Sequence, residues 1–277
     1  MELLHPIVKW AGGKTQLLEY LISKCPKKYN RYFEPFVGGG AFLLALQPED
    51  AVINDINADL IAIYKCLCNE CDFNLMMEVI DTFVEQHSKE NFYKVRELDR
   101  DKKFDSLKNY EKAARTIYLN KTCFNGLYRV NSKGFFNVPW NGNKNPNCYD
   151  KTNINNVHKY FVNKKIAILS EDFEKCVSSA QSGDFVYFDP PYDSPEGKKS
   201  FTTYTKNQFG KDEQIRLAKV FKELSEKGVF VMASNHNTDF IKDLYQDFNI
   251  EVVEARRSIN SKGNERGTVE EVIITNY

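Results

Sequence analysis

Residues 32–46 read YFEPFVGGGAFLLAL: a short apolar run, three glycines, then apolar residues again. The order is strand, tight turn, helix. Glycine lets the backbone turn sharply and admits a ligand to main-chain atoms that a Cβ would shield. Leu43 follows where the dinucleotide fingerprint needs a third glycine, and a turn of this kind alone also fits a strand-to-helix corner without a ligand. Seventeen residues after Gly38, however, Asp55 closes the next apolar run, AVIND. A carboxylate there can accept hydrogen bonds from both hydroxyls of a ribose. Together the two features favour a nucleoside-type cofactor.

Further short apolar runs follow at 165–170, 184–189, 229–234, 250–255 and 271–276. Helical patterns at 12–24, 40–47 and 212–227 lie among them. Strands alternating with helices predict a mostly parallel sheet covered on both faces, in an α/β body. Only a loop joins the last two runs, too short for a helical crossover, so they are expected to pair antiparallel. Residues 57–157 break the rhythm. DLIAIYKCLCNE, CDFNLMMEVIDTFVEQ and YEKAARTIYLNK read as helices, and a Gly/Asn-rich loop follows at 125–147. The expected organisation is a body of residues 1–56 and 158–277 with a helical insertion at 57–157.

The 277 residues are 42% hydrophobic, enough for one large domain or a domain with an insertion. No run approaches a membrane span, and MELLHPIVKW lacks the form of a signal peptide. Seven irregularly spaced cysteines suggest reduced thiols and a cytoplasmic location. Formal charge is zero, so net charge does not announce a nucleic-acid binder, but its distribution is uneven. Between Lys121 and Lys151 lie five basic residues against one acid, with seven asparagines. Segment 256–266, RRSINSKGNER, carries four basic residues and one acid. Such loops are either solvated or face a polyanion, and a site aimed at the same substrate decides between the two.

The chemistry concentrates in DFVYFDPPYDS, residues 184–194. A buried strand ends at Asp189, and in an open parallel sheet ligands bind beyond that end. Pro190 and Pro191 lack amide hydrogens, so carbonyl oxygens dominate the lining. A carboxylate, an acceptor-rich backbone and the Tyr192 ring suit a planar ring bearing an NH₂ group. Asp189 and the Pro190 carbonyl would each accept one amino hydrogen while Tyr192 stacks. Near the start, KWAGGKT (9–15) ends like a triphosphate loop, but Val8 stands where that loop needs its first glycine.

KWAGGK at 9–14, FVGGGAF at 36–42 and DPPY at 189–192 resemble the motifs of the Dam-type (class alpha) N6-adenine DNA methyltransferases. The similarity continues through YLNKTCFNGLYRVNSKGFFNVPW, SNHNT at 234–238 and RRSINS at 256–261. The resemblance implies an S-adenosylmethionine-dependent, Rossmann-like mixed sheet with a helical target-recognition insertion. It implies that Trp10, Lys14, Phe36, Gly38, Asp55, Asp172 and Asp189 serve the cofactor, without a metal, and that Asp189, Pro190 and Tyr192 act on a flipped adenine. Lys14 would meet the carboxylate at the methionine end, and Asp172 the cofactor's adenine amino group. Double-stranded DNA would be read by Lys9, Phe124, Asn125, Leu127, Arg129 and Pro139, within GATC, with Arg129 on a guanine. NVPWNGNK departs from relatives that continue NVP with an aromatic residue and GRYK. A cognate restriction endonuclease is a partner to look for, and no membrane is implied. Cytosine N4, RNA or a protein amide as targets, and a DNA binder with a vestigial cofactor pocket, are the competing readings. Cys66, Cys68 and Cys71 read as thiols on a helix rather than half a zinc site. His236 reads as a structural hydrogen-bonding group, and Arg256, Arg257 and Lys262 as either phosphate contacts or a solvated hairpin.

Overall fold

The computed structural model describes residues 3–193, 209–256 and 268–277. Its body is one seven-stranded sheet. The strands are β1 (Tyr32–Glu34), β2 (Asp50–Asn54), β3 (Lys165–Leu169), β4 (Phe185–Phe188), β5 (Phe230–His236), β6 (Asn249–Arg256) and β7 (Thr268–Thr275). They lie in the order β3-β2-β1-β4-β5-β7-β6. The first five strands run parallel; β7 is antiparallel to both β5 and β6, as the short connection requires.

Successive residues of a strand point to opposite faces, and the core follows that rule. Tyr32, Ala51, Ile53, Phe185 and Tyr187 point into one apolar cluster; Phe33, Val52, Val186 and Phe188 point into the other. Ten α-helices and three short 3-10 helices complete the described chain, the α-helices being α1 (Leu18–Lys24), α2 (Ala41–Leu46), α3 (Ala58–Leu67), α4 (Glu70–Glu85), α5 (Lys89–Glu97), α6 (Asn109–Thr122), α7 (Lys151–Asn163), α8 (Phe173–Val177), α9 (Lys211–Glu226) and α10 (Asp239–Leu244). Helices α8, α9 and α10 contribute to the second cluster. The first cluster runs without a break into the insertion, through Leu60, Phe92, Ala114 and Tyr118. Helix α3 packs on both α6 and β3, so it belongs to both layers.

Two expectations need correction. The pattern at 12–24 is helical only from Leu18; residues 11–12 and 15–17 form turns around an irregular 13–14, with Gly12 at φ +79°. That irregular backbone turns the Lys14 side chain inward. In the insertion, α5 and α7 are additional helices, and residue 157 lies within α7. The side chain of Arg256 and residues Arg257 and Lys262 lie outside what is described. Among the described residues, no helix is long and apolar enough to cross a membrane.

Candidate active site

The carboxyl ends of β1, β2, β4 and β5 gather the residues singled out above. Beyond β1 the chain turns at Gly38, with φ +50°, a conformation that glycine adopts at little cost. A Cβ there would stand 3.1 Å from the Trp10 ring, so the N-terminal loop closes on this turn. Asp55 follows β2. Its Oδ2 accepts from the Gly38 N–H at 3.1 Å and its Oδ1 from the Asn57 N–H at 2.9 Å. Burial raises its pKa to about 6, against the opposing pull of those two N–H groups. Each oxygen keeps a lone pair for a further donor.

Asp189 follows β4 directly, and β4 lies beside β1 in the sheet. The Lys14 ammonium sits 2.8 Å from Asp189 Oδ1, with the two side chains only 6% and 18% exposed. The same ammonium donates to the Gly12 carbonyl at 2.8 Å and lies 4.6 Å from the centre of the Tyr192 ring. Ser234, on β5, donates its hydroxyl to Asp189 Oδ1 at 2.9 Å. Having given up its one hydrogen, Ser234 accepts from the Tyr187 hydroxyl, 2.9 Å away. Asp189 is thereby held from the N-terminal loop and from β5 at once. Lys14, expected at a cofactor carboxylate, has its charge engaged by Asp189.

Tyr192 is fixed at its far end. Its hydroxyl donates to Glu271 Oε2 on β7 at 2.8 Å, and its ring meets that of His236 edge-on, centroids 4.9 Å apart. His236 Nδ1 bonds the Asp193 carbonyl, and Thr238 donates to the Asp193 carboxylate at 2.8 Å. Beneath lies Glu34 on β1, buried, accepting from the Tyr32 hydroxyl at 2.7 Å. Burial, with Asp189 nearby, raises its pKa to about 8, against the opposing pull of the Tyr32 hydroxyl.

Phe36 packs between Phe173 and Phe209, with centroids 5.4 and 5.6 Å away. Asp172 caps α8 and forms a two-point pair with Arg216, at 2.9 and 2.7 Å. Its carboxylate would have to release Arg216 to take a cofactor amino group. Cys66 and Cys68 are thiols whose pKa burial pushes up to about 12 and about 11. Among the described residues no three His, Cys, Asp or Glu side chains group as metal ligands.

The residues expected to read DNA form a second cluster. The Phe124 N–H donates to the Pro139 carbonyl at 2.8 Å, and short bridges join Cys123 to Trp140 and Val130 to Phe136. Segments 124–130 and 136–140 thus run side by side. Phe124, Asn125, Arg129, Pro139 and Lys9 are exposed, and Leu127 is half-buried. Arg129 donates through Nε to Asn137 Oδ1 at 2.7 Å.

The sequence matches the profile of the D12 class N6 adenine-specific DNA methyltransferases over residues 10–259. The chain belongs to that family. A type II methyltransferase of Lactococcus lactis subsp. cremoris is 46% identical over 274 residues, spanning 99% of this chain and 96% of that protein. A type II methyltransferase of Methanocaldococcus jannaschii is 44% identical over 290 residues, with 99% of each chain covered. A DNA adenine methylase of Haemophilus influenzae is 32% identical over 283 residues, 97% of this chain and 92% of that protein. As a member of the D12 class the chain is an adenine-specific DNA methyltransferase. Sequence reasoning missed Ser234, Tyr187, Glu271 and Glu34. The first lay within the quoted SNHNT, and a glutamate inside the apolar run YFEPF was itself a signal.

Proposed function

We propose that this chain moves a methyl group from S-adenosylmethionine to N6 of an adenine turned out of duplex DNA, within GATC. The observation that carries the reading is Asp189: a carboxylate followed by two prolines and a ring, held on one oxygen by Lys14 and Ser234. Among the described residues that leaves Oδ2 to accept one amino hydrogen, while the Pro190 carbonyl accepts the other and Tyr192 stacks on the base. An adenine amino nitrogen is a weak nucleophile because its lone pair is delocalised into the ring. Drawing both hydrogens toward acceptors frees that lone pair and orients it. As the nitrogen gains the methyl it becomes cationic, and the adjacent carboxylate stabilises that charge. The surplus proton leaves the nitrogen to Asp189 and then to water. No covalent enzyme intermediate is needed.

Trp10, Phe36, Gly38 and Asp55 fit the donor: a turn that admits a ligand to the backbone, aromatic faces, and a carboxylate with acceptor capacity left for a ribose. S-adenosylmethionine supplies the activated methyl on its sulfonium. The insertion, 57–157, is the DNA-reading body, with Arg129 bidentate to a guanine and Phe124 filling the space left by the flipped base. Lys9, Asn125, Leu127 and Pro139 complete that surface. The type II relatives support a cognate restriction endonuclease as partner. Incubation with radiolabelled S-adenosylmethionine and unmethylated plasmid, followed by base mapping, tests the reading. N6-methyladenine in GATC is expected; label on cytosine N4, or no label, overturns it.

A further inference from the structure

Asn120, near the end of α6, is 2% exposed and bonds across the gap between the cofactor loop and the DNA-reading loop. Its Oδ1 accepts from the Lys9 N–H at 2.8 Å, while its Nδ2 donates to the Lys9 carbonyl at 2.8 Å and to the Gly126 carbonyl at 2.9 Å. The side-chain amide thus pairs with the Lys9 backbone on both sides, as a neighbouring strand would, and satisfies both its amide hydrogens. Lys9 is followed by Trp10, whose ring sits against the Gly38 turn. Gly126 is preceded by Phe124 and Asn125, and the Lys9 side chain fills the space where a Gly126 Cβ would stand, 2.7 Å from Lys9 Cδ. Gly126 also has φ +66°, so the close approach and the turn both demand glycine.

We propose that Asn120 is a positioning residue that ties DNA binding to methyl-donor binding, by fixing the reading loop and the Trp10 loop to one amide. A shift of 124–126 on a cognate duplex then moves Lys9, and with it the Trp10 face of the donor site. The proposal rests on the DNA-methylating reading above. The molecule supplies its own control. Asn153, on α7, clamps the His5 backbone with the same reciprocal pair, both at 2.9 Å, on the exposed side and without touching the reading loop.

Coupling between two ligands is reciprocal and is measured as a ratio of affinities. The full-length chain is titrated with S-adenosylhomocysteine, with and without an unmethylated GATC duplex, after the wild type has been assayed for DNA methylation. The wild type is expected to bind S-adenosylhomocysteine more tightly with duplex present. Asn120→Ala is expected to lower that enhancement by about tenfold, within the usual range of coupling between sites. Asn153→Ala is expected to leave it unchanged. Gly126→Ala, which displaces Lys9 while keeping Asn120, is expected to reproduce the loss, and the double variant Asn120→Ala/Gly126→Ala to add little. An enhancement near one in the wild type overturns the proposal. So does Asn120→Ala with lower affinities for both ligands but an unchanged enhancement, the mark of a merely structural role. A wild type that methylates no DNA overturns the functional reading itself, and is told apart by the preceding assay.

Discussion

Asp189 and Arg129, the charged centres of the proposed catalytic and DNA-reading sites, are held in different ways. The carboxylate is mostly buried, and its contacts come from residues 175 positions before it and 45 after it, since Lys14 and Ser234 meet at Oδ1. The guanidinium is exposed, and its hydrogen bonds come from Asn137, eight residues along the same loop. On the proposed reading, chemistry at a nitrogen lone pair tolerates little displacement, and an acceptor held from the N-terminal loop and from β5 at once suits that demand. On the same reading a base-edge reader has to exchange its partner for the DNA, and a guanidinium held by a single local residue suits that exchange.

Four measurements test that contrast. The largest effect is expected at the carboxylate: Asp189→Ala lowers kcat on the order of 10³-fold while DNA affinity in a gel-shift assay stays near wild type. Retained turnover would rule out Asp189 as the acceptor at the amino nitrogen. Next comes its partner. Lys14→Met leaves a largely buried carboxylate unpaired and is expected to cost about 3 kcal/mol in urea denaturation. Lys14→Met/Asp189→Asn is expected to recover most of that stability but no activity, which separates holding the fold from making the site. The exposed pole should respond otherwise. Arg129→Ala is expected to reduce discrimination between the cognate site and a single guanine substitution by roughly 5- to 150-fold, with unchanged thermal stability. Lost stability there would dissolve the contrast.

The smallest expected effect is one of pH. Asp55 titrates at about 6, above the ordinary carboxylate range, because burial disfavours its charge. On the proposed reading its ionised form accepts ribose hydroxyls, so S-adenosylhomocysteine affinity should be flat above that pH. Below it, affinity should fall roughly tenfold per unit as the acceptor is protonated. Asp55→Asn should flatten the profile; a slope that survives it points to another group.

The fold was legible because periodicity carries it: every β-strand from β1 to β7 shows as a short apolar run in the sequence, and the antiparallel end follows from one loop length. The motifs DPPY and GGG were legible because chemistry compresses them into a few neighbouring residues. What escaped was whatever depends on distant chain segments meeting. Nothing near Lys14 in sequence says that its charge belongs to Asp189, and nothing near Tyr192 announces Glu271. Helices α5 and α7 escaped for another reason. The first has only Phe92 and Val95 buried, and the second carries four asparagines, poor helix formers that its Asp150 cap and buried Ile154, Val157, Tyr160 and Phe161 offset.

The placement of β7 between β5 and β6 bears on how the molecule is made. On a translating ribosome β6 emerges before the strand that must separate it from β5, so it has no proper neighbour until β7 follows. Until then β5 presents an open border to other chains, and Tyr192 has no Glu271 to anchor its hydroxyl. The inner neighbour of β5 and the anchor of the Tyr192 hydroxyl therefore arrive together, late in synthesis, after the Gly38 turn and residues 124–140 have already been made.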